Sequence, residues 1–253
     1  MTRIAAHRGG AALWPENSLL AFQSAIALGS DLLELDVHLT RDRTVAVIHD
    51  ATLERTTNGA GPVASLTAAD LRHLRLRGPG AGLTSEPVPM FDDVLAAAAA
   101  APRPVGLLVE VKESATGARY EGLEELVLAA LARAGLQPQA TVMAFNPDVI
   151  ARVRALAPRA GTTLLVERDA VERAGARPEH TVDWAIAAGV TDLGLEYTLA
   201  DERVVVAAHA ARLSLGVWTV NDATTIRRML ELGVDIITSD RPDLAKRVQR
   251  GDA

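Results

Sequence analysis

The sequence predicts a (β/α)8 TIM barrel, and three observations support that fold class. Short apolar runs alternate with helical patterns along the chain, which is typical of βαβ units and a parallel sheet. The alternation gives eight units when the segment 45–48 is counted as an extra strand beside the second. The length of 253 residues fits one such barrel, typically about 250 residues long. No G-x-G-x-x-G motif follows a strand, which disfavours the alternative, an open doubly wound sheet that binds a dinucleotide.

The predicted elements follow one another in barrel order. A first strand at 3–6 is followed by a helix at 18–28, which Asn17 or Ser18 would cap. The second strand covers 32–37. The remaining strands, each with the helix that follows it, are 105–111 with 121–134, 140–144 with 147–157, 161–166 with 181–188, 192–195 with 201–211, 215–218 with 222–232, and 235–238 with 242–250.

The segment 51–90 interrupts this alternation. It contains TTNGAGP, a short helical stretch LTAADLRHL and the Gly/Pro-rich stretch RGPGAGLTSEPVP. We therefore expect a single catalytic domain over 1–253 with an insertion at 51–90. The insertion starts where a strand ends, so it would lie over the C-terminal face of the barrel and shape a substrate pocket.

Composition excludes several classes of protein. The formal net charge of −6 gives no basic footprint for nucleic acid. The absence of cysteine excludes disulfides and thiolate metal sites. No segment reaches the roughly 18 apolar residues of a membrane helix, and the start MTRIAAHRGG lacks the apolar stretch of a signal peptide. We expect no membrane insertion and a cytoplasmic location.

Acidic residues on two predicted strands indicate a metal site. Glu34 and Asp36 alternate along a strand, so their side chains share one face. Two adjacent carboxylates repel each other and lose hydration in a barrel mouth. One divalent cation, Mg2+ or Ca2+, would remove that cost, since both prefer oxygen ligands. Glu110 would supply a third carboxylate and Lys112 a nearby positive charge. The alternatives are an arginine partner for one acid and an ordinary Glu–Lys pair.

Two histidines are candidate acid/base residues. His7 follows the first strand, and His49 ends the strand beside the two acids, so both would lie at the catalytic rim of the barrel. Histidine titrates near neutrality and can donate or accept a proton in catalysis. Metal ligation is the alternative. We expect His38 at the surface end of its strand, and His73, His180 and His209 at the surface or in packing.

Three further residues are candidate substrate contacts. Arg8, beside the flexible Gly9-Gly10, can offer a bidentate fork to a phosphate. Glu16 would lie in the loop above the first strand, or serve only as a helix N-terminal acid. Trp218 ends a strand and would form an apolar wall for substrate carbons, or pack in the core.

The motifs taken together resemble the glycerophosphodiester phosphodiesterase family. They run nearly end to end in the family's order: HRGG and PENS at 7–18, ELDVHLTRDRTVAVIHD at 34–50, LERTTNG at 53–59, VEVK at 109–112, FNPD at 145–148, WTVND at 218–222 and TSDRPDL at 238–244. The resemblance implies a TIM barrel with a small insertion after the second strand. It implies that His7 and His49 are the acid/base pair and that Glu34, Asp36 and Glu110 hold one divalent cation.

The resemblance also implies a reaction. Arg8 and Lys112 would bind the phosphate, while Glu16 and Trp218 would line the pocket. The expected activity is metal-dependent hydrolysis of small-molecule glycerophosphodiesters to an alcohol and sn-glycerol 3-phosphate. The alternatives are a lysophospholipase D-like enzyme, with an apolar rim near Trp14 and the insertion, and a catalytically silent barrel that binds metal or phosphodiester. The sequence leaves open Mg2+ or Ca2+, which histidine is the acid, water or the 2-hydroxyl as nucleophile, and the oligomeric state.

Overall fold

Eight parallel strands close into a barrel in the computed structural model, which describes residues 1–252. The strands of the sheet are β1 (Arg3–Ala6), β2 (Leu32–Leu39), β3 (Val45–Val47), β4 (Gly106–Val111), β5 (Ala140–Ala144), β6 (Gly161–Val166), β7 (Asp192–Glu196), β8 (Ser214–Trp218) and β9 (Ile236–Ser239). Their order is β1-β9-β8-β7-β6-β5-β4-β2-β3, and β1 also pairs with β2. That last pairing closes the barrel and confirms the predicted fold class.

Helices connect the strands and cover the outside of the barrel. They are α1 (Leu19–Leu28), α2 (Ala68–His73), α3 (Phe91–Ala99), α4 (Leu123–Arg133), α5 (Pro147–Leu156), α6 (Arg168–Arg173), α7 (His180–Ala188), α8 (Glu202–Ala210), α9 (Ala223–Leu232) and α10 (Pro242–Arg250). Ser18 caps α1 by accepting a hydrogen bond from the amide of Ala21, and Asp222 caps α9 in the same way from Thr225. None of these helices has both the length and the apolar composition to cross a bilayer.

The barrel buries both faces of its strands. All eight residues of β2 are buried, because one face points into the barrel and the other packs under helices. The outer layer contains most of the core. A smaller apolar cluster fills the barrel interior, with Trp218 packed against it: Ala5, Leu32, Leu108, Met143, Leu165 and Ile236.

One short strand lies outside the parallel barrel. β3 pairs antiparallel with β2, with Val37 opposite Val47, which confirms the predicted extra strand. The chain then runs through 51–90, which packs against Ala46 and Ile48 in a separate apolar cluster with Leu53, Val63, Leu71, Leu76, Val88 and Met90. This segment leaves the barrel directly after His49, so its first residues lie beside the candidate site.

Candidate active site

A cavity of about 130 Å³ opens at the carboxyl ends of the barrel strands. It is lined by seven of the nine predicted site residues: His7, Arg8, Glu34, His49, Glu110, Lys112 and Trp218. The other two lie next to it. Asp36 is fully buried below the rim, and Glu16 is in the β1–α1 loop, where its carboxylate binds Arg8 and Arg55. His73, His180 and His209 are not among its lining residues.

Three carboxylates form the acidic cluster Glu34/Asp36/Glu110. One oxygen from each lies within 4.8 Å of the others, and all three side chains are buried. Glu34 and Asp36 come from β2 and Glu110 from the neighbouring β4, where the register places Asp36 opposite Glu110. Alternation along β2 and parallel pairing with β4 therefore bring the three acids together.

Two cations partly compensate this negative charge. Lys112 Nζ lies 2.5 Å from Glu110 Oε1 and 3.0 Å from Asp36 Oδ1. Arg8 donates its backbone N–H to Glu34 Oε2 at 2.8 Å, and its Nε lies 3.4 Å from Asp36 Oδ2. The cluster thus has three carboxylates against two side-chain cations.

The two acids of β2 titrate in opposite directions. Burial, and then the charge of Asp36, raises the pKa of Glu34 to about 8. Burial also acts to raise the pKa of Asp36, but Lys112 and Arg8 outweigh it and hold that pKa well below its usual range. The pKa of Lys112 is raised, because Asp36 and Glu110 outweigh its burial. Without a cation, the extra negative charge of the cluster is relieved at Glu34.

His7 is held by a carboxylate that directly follows the last barrel strand. Its Nδ1 lies 2.6 Å from Asp240 Oδ1, and Asn221 donates to the other oxygen of Asp240 at 2.6 Å. The carboxylate can only accept, so Nδ1 carries the proton and Nε2 is left toward Glu34, 3.9 Å away. Burial lowers the pKa of His7, but Glu34 and Asp240 outweigh it and the pKa is raised.

His49 is held in the same way by its neighbour in sequence. Its Nδ1 lies 2.6 Å from Asp50 Oδ1, which leaves Nε2 unbonded at the cavity. Arg55 donates to both oxygens of Asp50 and to both oxygens of Glu16, at 2.6 to 2.9 Å. Burial lowers the pKa of His49. Each candidate acid/base histidine therefore has an aspartate that fixes its tautomer and orientation.

His38 differs from expectation, since it is buried rather than on the surface. It is 1% exposed, with Nε2 3.0 Å from the carbonyl oxygen of His49 and Nδ1 2.9 Å from the hydroxyl of Tyr120. The Tyr120 ring packs edge-on against it. Burial lowers the pKa of His38 to about 4, so the ring is neutral near pH 7. Tyr120 lies in the loop after β4. It covers the His38 ring, and the sequence around His38 does not predict this contact.

The loop after β1 has an unusual backbone. Arg8 adopts φ 50° and Gly9 φ 81°. A Cβ on Gly9 would lie 2.6 Å from the Cβ of Ala21, so only glycine permits this approach to α1. Asn17, at φ 57°, does not cap the helix but donates to Asp36 Oδ2 at 2.8 Å. This backbone directs the amide of Arg8 and the side chain of Asn17 to the acidic cluster.

Aromatic rings form one side of the cavity. Trp218 and Phe145 pack edge to face, with ring centroids 5.5 Å apart. Phe145 is 42% exposed, and both residues line the cavity. Opposite them lie the charged groups, so the cavity has an apolar wall and a polar wall.

Four residues that bind the candidate site residues are not predicted as such by the sequence: Asn17, Asp50, Arg55 and Asp240. Asp50 and Asp240 each follow a strand. Residues at the carboxyl ends of barrel strands lie at the catalytic rim, and this argument, which identified the two histidines, also applies to these two aspartates. The sequence indicates Asn17 only as a candidate helix cap. Arg55 gave no signal, because its role depends on how the chain turns after His49.

The donor set fits a divalent cation. Buried carboxylate oxygens within 4.8 Å of one another match the preference of Mg2+ and Ca2+ for oxygen ligands. Asp36 Oδ1, although close to Lys112, is buried without a hydrogen bond of good geometry. Glu34, Asp36 and Glu110 are therefore the residues that would hold such an ion.

Comparison with known proteins identifies relatives over almost the whole chain. The sequence model described as "Glycerophosphoryl diester phosphodiesterase family" matches residues 7–244. The glycerophosphodiester phosphodiesterase of Bacillus altitudinis is 32% identical over 254 residues, covering 98% of each chain. A crystal structure from Agrobacterium tumefaciens is similar with a TM-score of 0.90, 27% identity and coverage of 99% and 98%. An Oleispira antarctica phosphodiesterase, solved in complex with the product sn-glycerol-3-phosphate, has the same fold with a TM-score of 0.83, 23% identity and coverage of 99% and 97%.

Proposed function

The chain belongs to the glycerophosphoryl diester phosphodiesterase family and is an enzyme of that activity; from this premise we propose a hydrolysis that uses one divalent cation and two histidines. The substrate is a glycerophosphodiester, and the products are an alcohol and sn-glycerol 3-phosphate. The observation that carries the proposal is the acidic cluster beside two histidines that are each oriented by an aspartate.

The acidic cluster would hold the cation. When bound, Mg2+ or Ca2+ would supply positive charge to a phosphate oxygen and lower the pKa of an attacking oxygen. Arg8 and Lys112 carry the positive charge that this chain itself offers to the phosphate. Preorganised cations in a buried site stabilise the negative charge that develops in the transition state.

The histidines would transfer the protons. In both, Nδ1 donates to an aspartate, so Nε2 is the atom that accepts or donates a proton at the cavity. One Nε2 takes the proton of the nucleophile, and the other gives a proton to the leaving alkoxide. Glu16 positions Arg8 through a 3.0 Å hydrogen bond, and Trp218 forms the wall against the substrate's carbon atoms. We regard the segment 51–90 as an insertion in a single catalytic domain. It contributes Arg55, which binds Asp50 and Glu16 beside the active site.

Product analysis tests this proposal. Glycerophosphocholine and glycerophosphoethanolamine are incubated with the protein in EDTA, Mg2+ or Ca2+, and glycerol 3-phosphate and free alcohol are quantified. The proposal predicts equal amounts of both products, only with a divalent cation, and their loss in the His49→Ala variant. Phosphocholine as a product, or release by His49→Ala at the rate of the unsubstituted protein, would contradict it.

A largely apolar groove, whose lining also includes Asp148, Glu167 and Arg173, favours a second substrate class, that of the lysophospholipase D-like alternative. The groove has a volume of about 670 Å³ and shares Phe145 and Leu165 with the active-site cavity. Its sides include Ala151 of α5 and Trp184 and Ala187 of α7. It therefore lies away from Trp14 and the insertion, where an apolar rim was expected. A groove of this size, in the range of roughly 300–1,000 Å³ for ligand sites, could take one acyl chain carried by the glycerol.

Short-chain lysophosphatidylcholines, used below their micelle concentrations, test the groove. If the acyl chain enters the groove, KM should fall by about two- to fourfold with each added methylene group. An Ala187→Glu substitution should remove this dependence and leave glycerophosphocholine turnover unchanged, with Ala187→Ser as the matched control. A KM independent of chain length would exclude the groove as an acyl site.

A further inference from the structure

His38 connects the backbone of His49 to the strand that carries the acidic cluster. It lies on β2, two residues after Asp36, and its Nε2 is 3.0 Å from the carbonyl oxygen of His49. Ile48 directly precedes His49, and its amide donates to the carbonyl oxygen of Asp36 at 3.0 Å. β2 thus contacts the chain on both sides of the peptide that joins Ile48 to His49.

The chemistry of the groups fixes the direction of these hydrogen bonds. A backbone carbonyl only accepts, so Nε2 of His38 must donate to His49. In the neutral ring, Nδ1 then accepts from the hydroxyl of Tyr120, 2.9 Å away. Both ring nitrogens are satisfied in one tautomer, as a buried polar side chain requires. Tyr120 in turn keeps the ring from rotating, since a flipped ring would lose both bonds.

The hydrogen bond from His38 to His49 lies where the chain leaves the β2–β3 pairing. β3 ends at Val47, and the peptide of His49 continues into the segment 51–90. Asp50 orients the imidazole of His49 but belongs to the same turn, so it cannot by itself fix the turn relative to the barrel. A displacement of about 1 Å in a catalytic group can cost roughly 10²-fold in rate.

We propose that His38, held by Tyr120, is a positioning residue that fixes the backbone of His49 relative to the acidic cluster. This inference rests on the proposed function, in which His49 transfers a proton. His38 touches neither the cavity nor the substrate in this role; it acts through the His49 carbonyl.

Substitutions separate this role from simple packing. His38→Phe keeps a ring but removes the donor, while His38→Gln keeps an N–H donor near the position of Nε2. Tyr120→Phe removes only one hydroxyl, and Tyr197→Phe, at the chain's other tyrosine, is its matched control. We expect kcat for glycerophosphocholine to fall about 10- to 100-fold in His38→Phe with KM changed less than about threefold, and His38→Gln to recover most of kcat. Tyr120→Phe should show a smaller fall of the same kind, and Tyr197→Phe none.

A double-mutant cycle gives the decisive result. If His38 acts through His49, then His38→Phe adds no further loss in a His49→Ala background. Additive losses, a His38→Phe kcat within about twofold of the unsubstituted protein, or no recovery in His38→Gln would overturn the proposal. If His38→Phe does not fold, Tyr120→Phe takes its place in the cycle.

A readout without turnover separates the two proposals. The 15N resonances of the His49 ring should shift in Tyr120→Phe and His38→Phe and stay in place in Tyr197→Phe. A protein that hydrolyses no glycerophosphodiester, yet shows these shifts, would refute the proposed function and retain the positioning contact. Unmoved His49 resonances in an active enzyme would overturn the positioning role alone.

Discussion

Replacing Lys112 with methionine tests the charge balance of the acidic cluster. The Lys112 side chain is 14% exposed and forms ion pairs with Glu110 at 2.5 Å and with Asp36 at 3.0 Å. Methionine has a similar volume but no charge, so it leaves two buried carboxylates without this partner. Breaking a buried ion pair costs about 3–5 kcal/mol. For a chain of this length each kcal/mol lowers Tm by roughly 2–4 °C, so the Tm in EDTA should fall by about 10 °C.

Divalent cations should restore part of the Tm that Lys112→Met loses in EDTA. Without the ammonium group the cluster has one fewer compensating charge, so Mg2+ or Ca2+ should bind Lys112→Met more tightly than the unsubstituted protein. A ligand bound only by the folded state raises stability in proportion to the logarithm of its concentration over Kd. The Tm increase on adding cation is therefore larger in the variant, while kcat/KM for glycerophosphocholine stays about 10²-fold lower, because the phosphate has lost a cation.

The chain contains one other lysine, which provides the matched control. Lys246 is also 14% exposed and bonds a single carboxylate, Asp31, at 2.6 Å. Thermal unfolding followed by circular dichroism in EDTA, Mg2+ and Ca2+ compares Lys112→Met with Lys246→Met. Lys246→Met should respond to cation like the unsubstituted protein. Equal increases of Tm on adding cation in the two variants would show that Lys112 does not compensate the charge of the acidic cluster.

Three other predictions follow from the same geometry. His7→Ala and His49→Ala should each lower kcat by about 10²–10⁴-fold with unchanged circular dichroism; a loss below tenfold at both positions would contradict their roles. Glu110→Gln should weaken Mg2+ or Ca2+ binding in calorimetry by at least about tenfold, and an unchanged Kd would exclude Glu110 as a ligand. The hydrogen bonds from Arg55 hold the pKa of Asp50 below its usual range. The pair therefore stabilises the folded state at pH values above the usual aspartate pKa, and this contribution is lost as pH falls through the lowered pKa. Arg55→Met should therefore be less stable by about 1 kcal/mol at pH 7, and the difference should shrink toward pH 3 in denaturant unfolding; a constant difference would argue against the pairing.

The convergence of strand ends could be predicted from the sequence. In a parallel barrel the carboxyl ends of all strands meet at one rim. Alternation along 32–37 then places Glu34 and Asp36 on one face, and the neighbouring strand adds Glu110. The structure brings these side chains within 4.8 Å. The rule works because it needs only strand direction and a period of two, which short apolar runs already specify.

The contacts that orient these groups could not be predicted in the same way. Asp240 binds His7 from 233 positions away, and Tyr120 covers His38 from 82 positions away. Neither contact has a local pattern, since both depend on barrel closure and on the path of a loop. Arg55 lies close in sequence to Asp50, but its geometry depends on the turns of the segment 51–90, whose Gly residues permit many backbone conformations.

The cation dependence of turnover is the sharpest test of the proposed metal site. The protein is stripped with EDTA, and Mg2+ or Ca2+ is titrated back while bound metal and glycerol 3-phosphate release from glycerophosphocholine are measured together. We expect no turnover in the stripped protein and full turnover at one bound cation per chain. Glu110→Gln should lose cation binding and turnover together. Full turnover by protein with no bound divalent cation would contradict it.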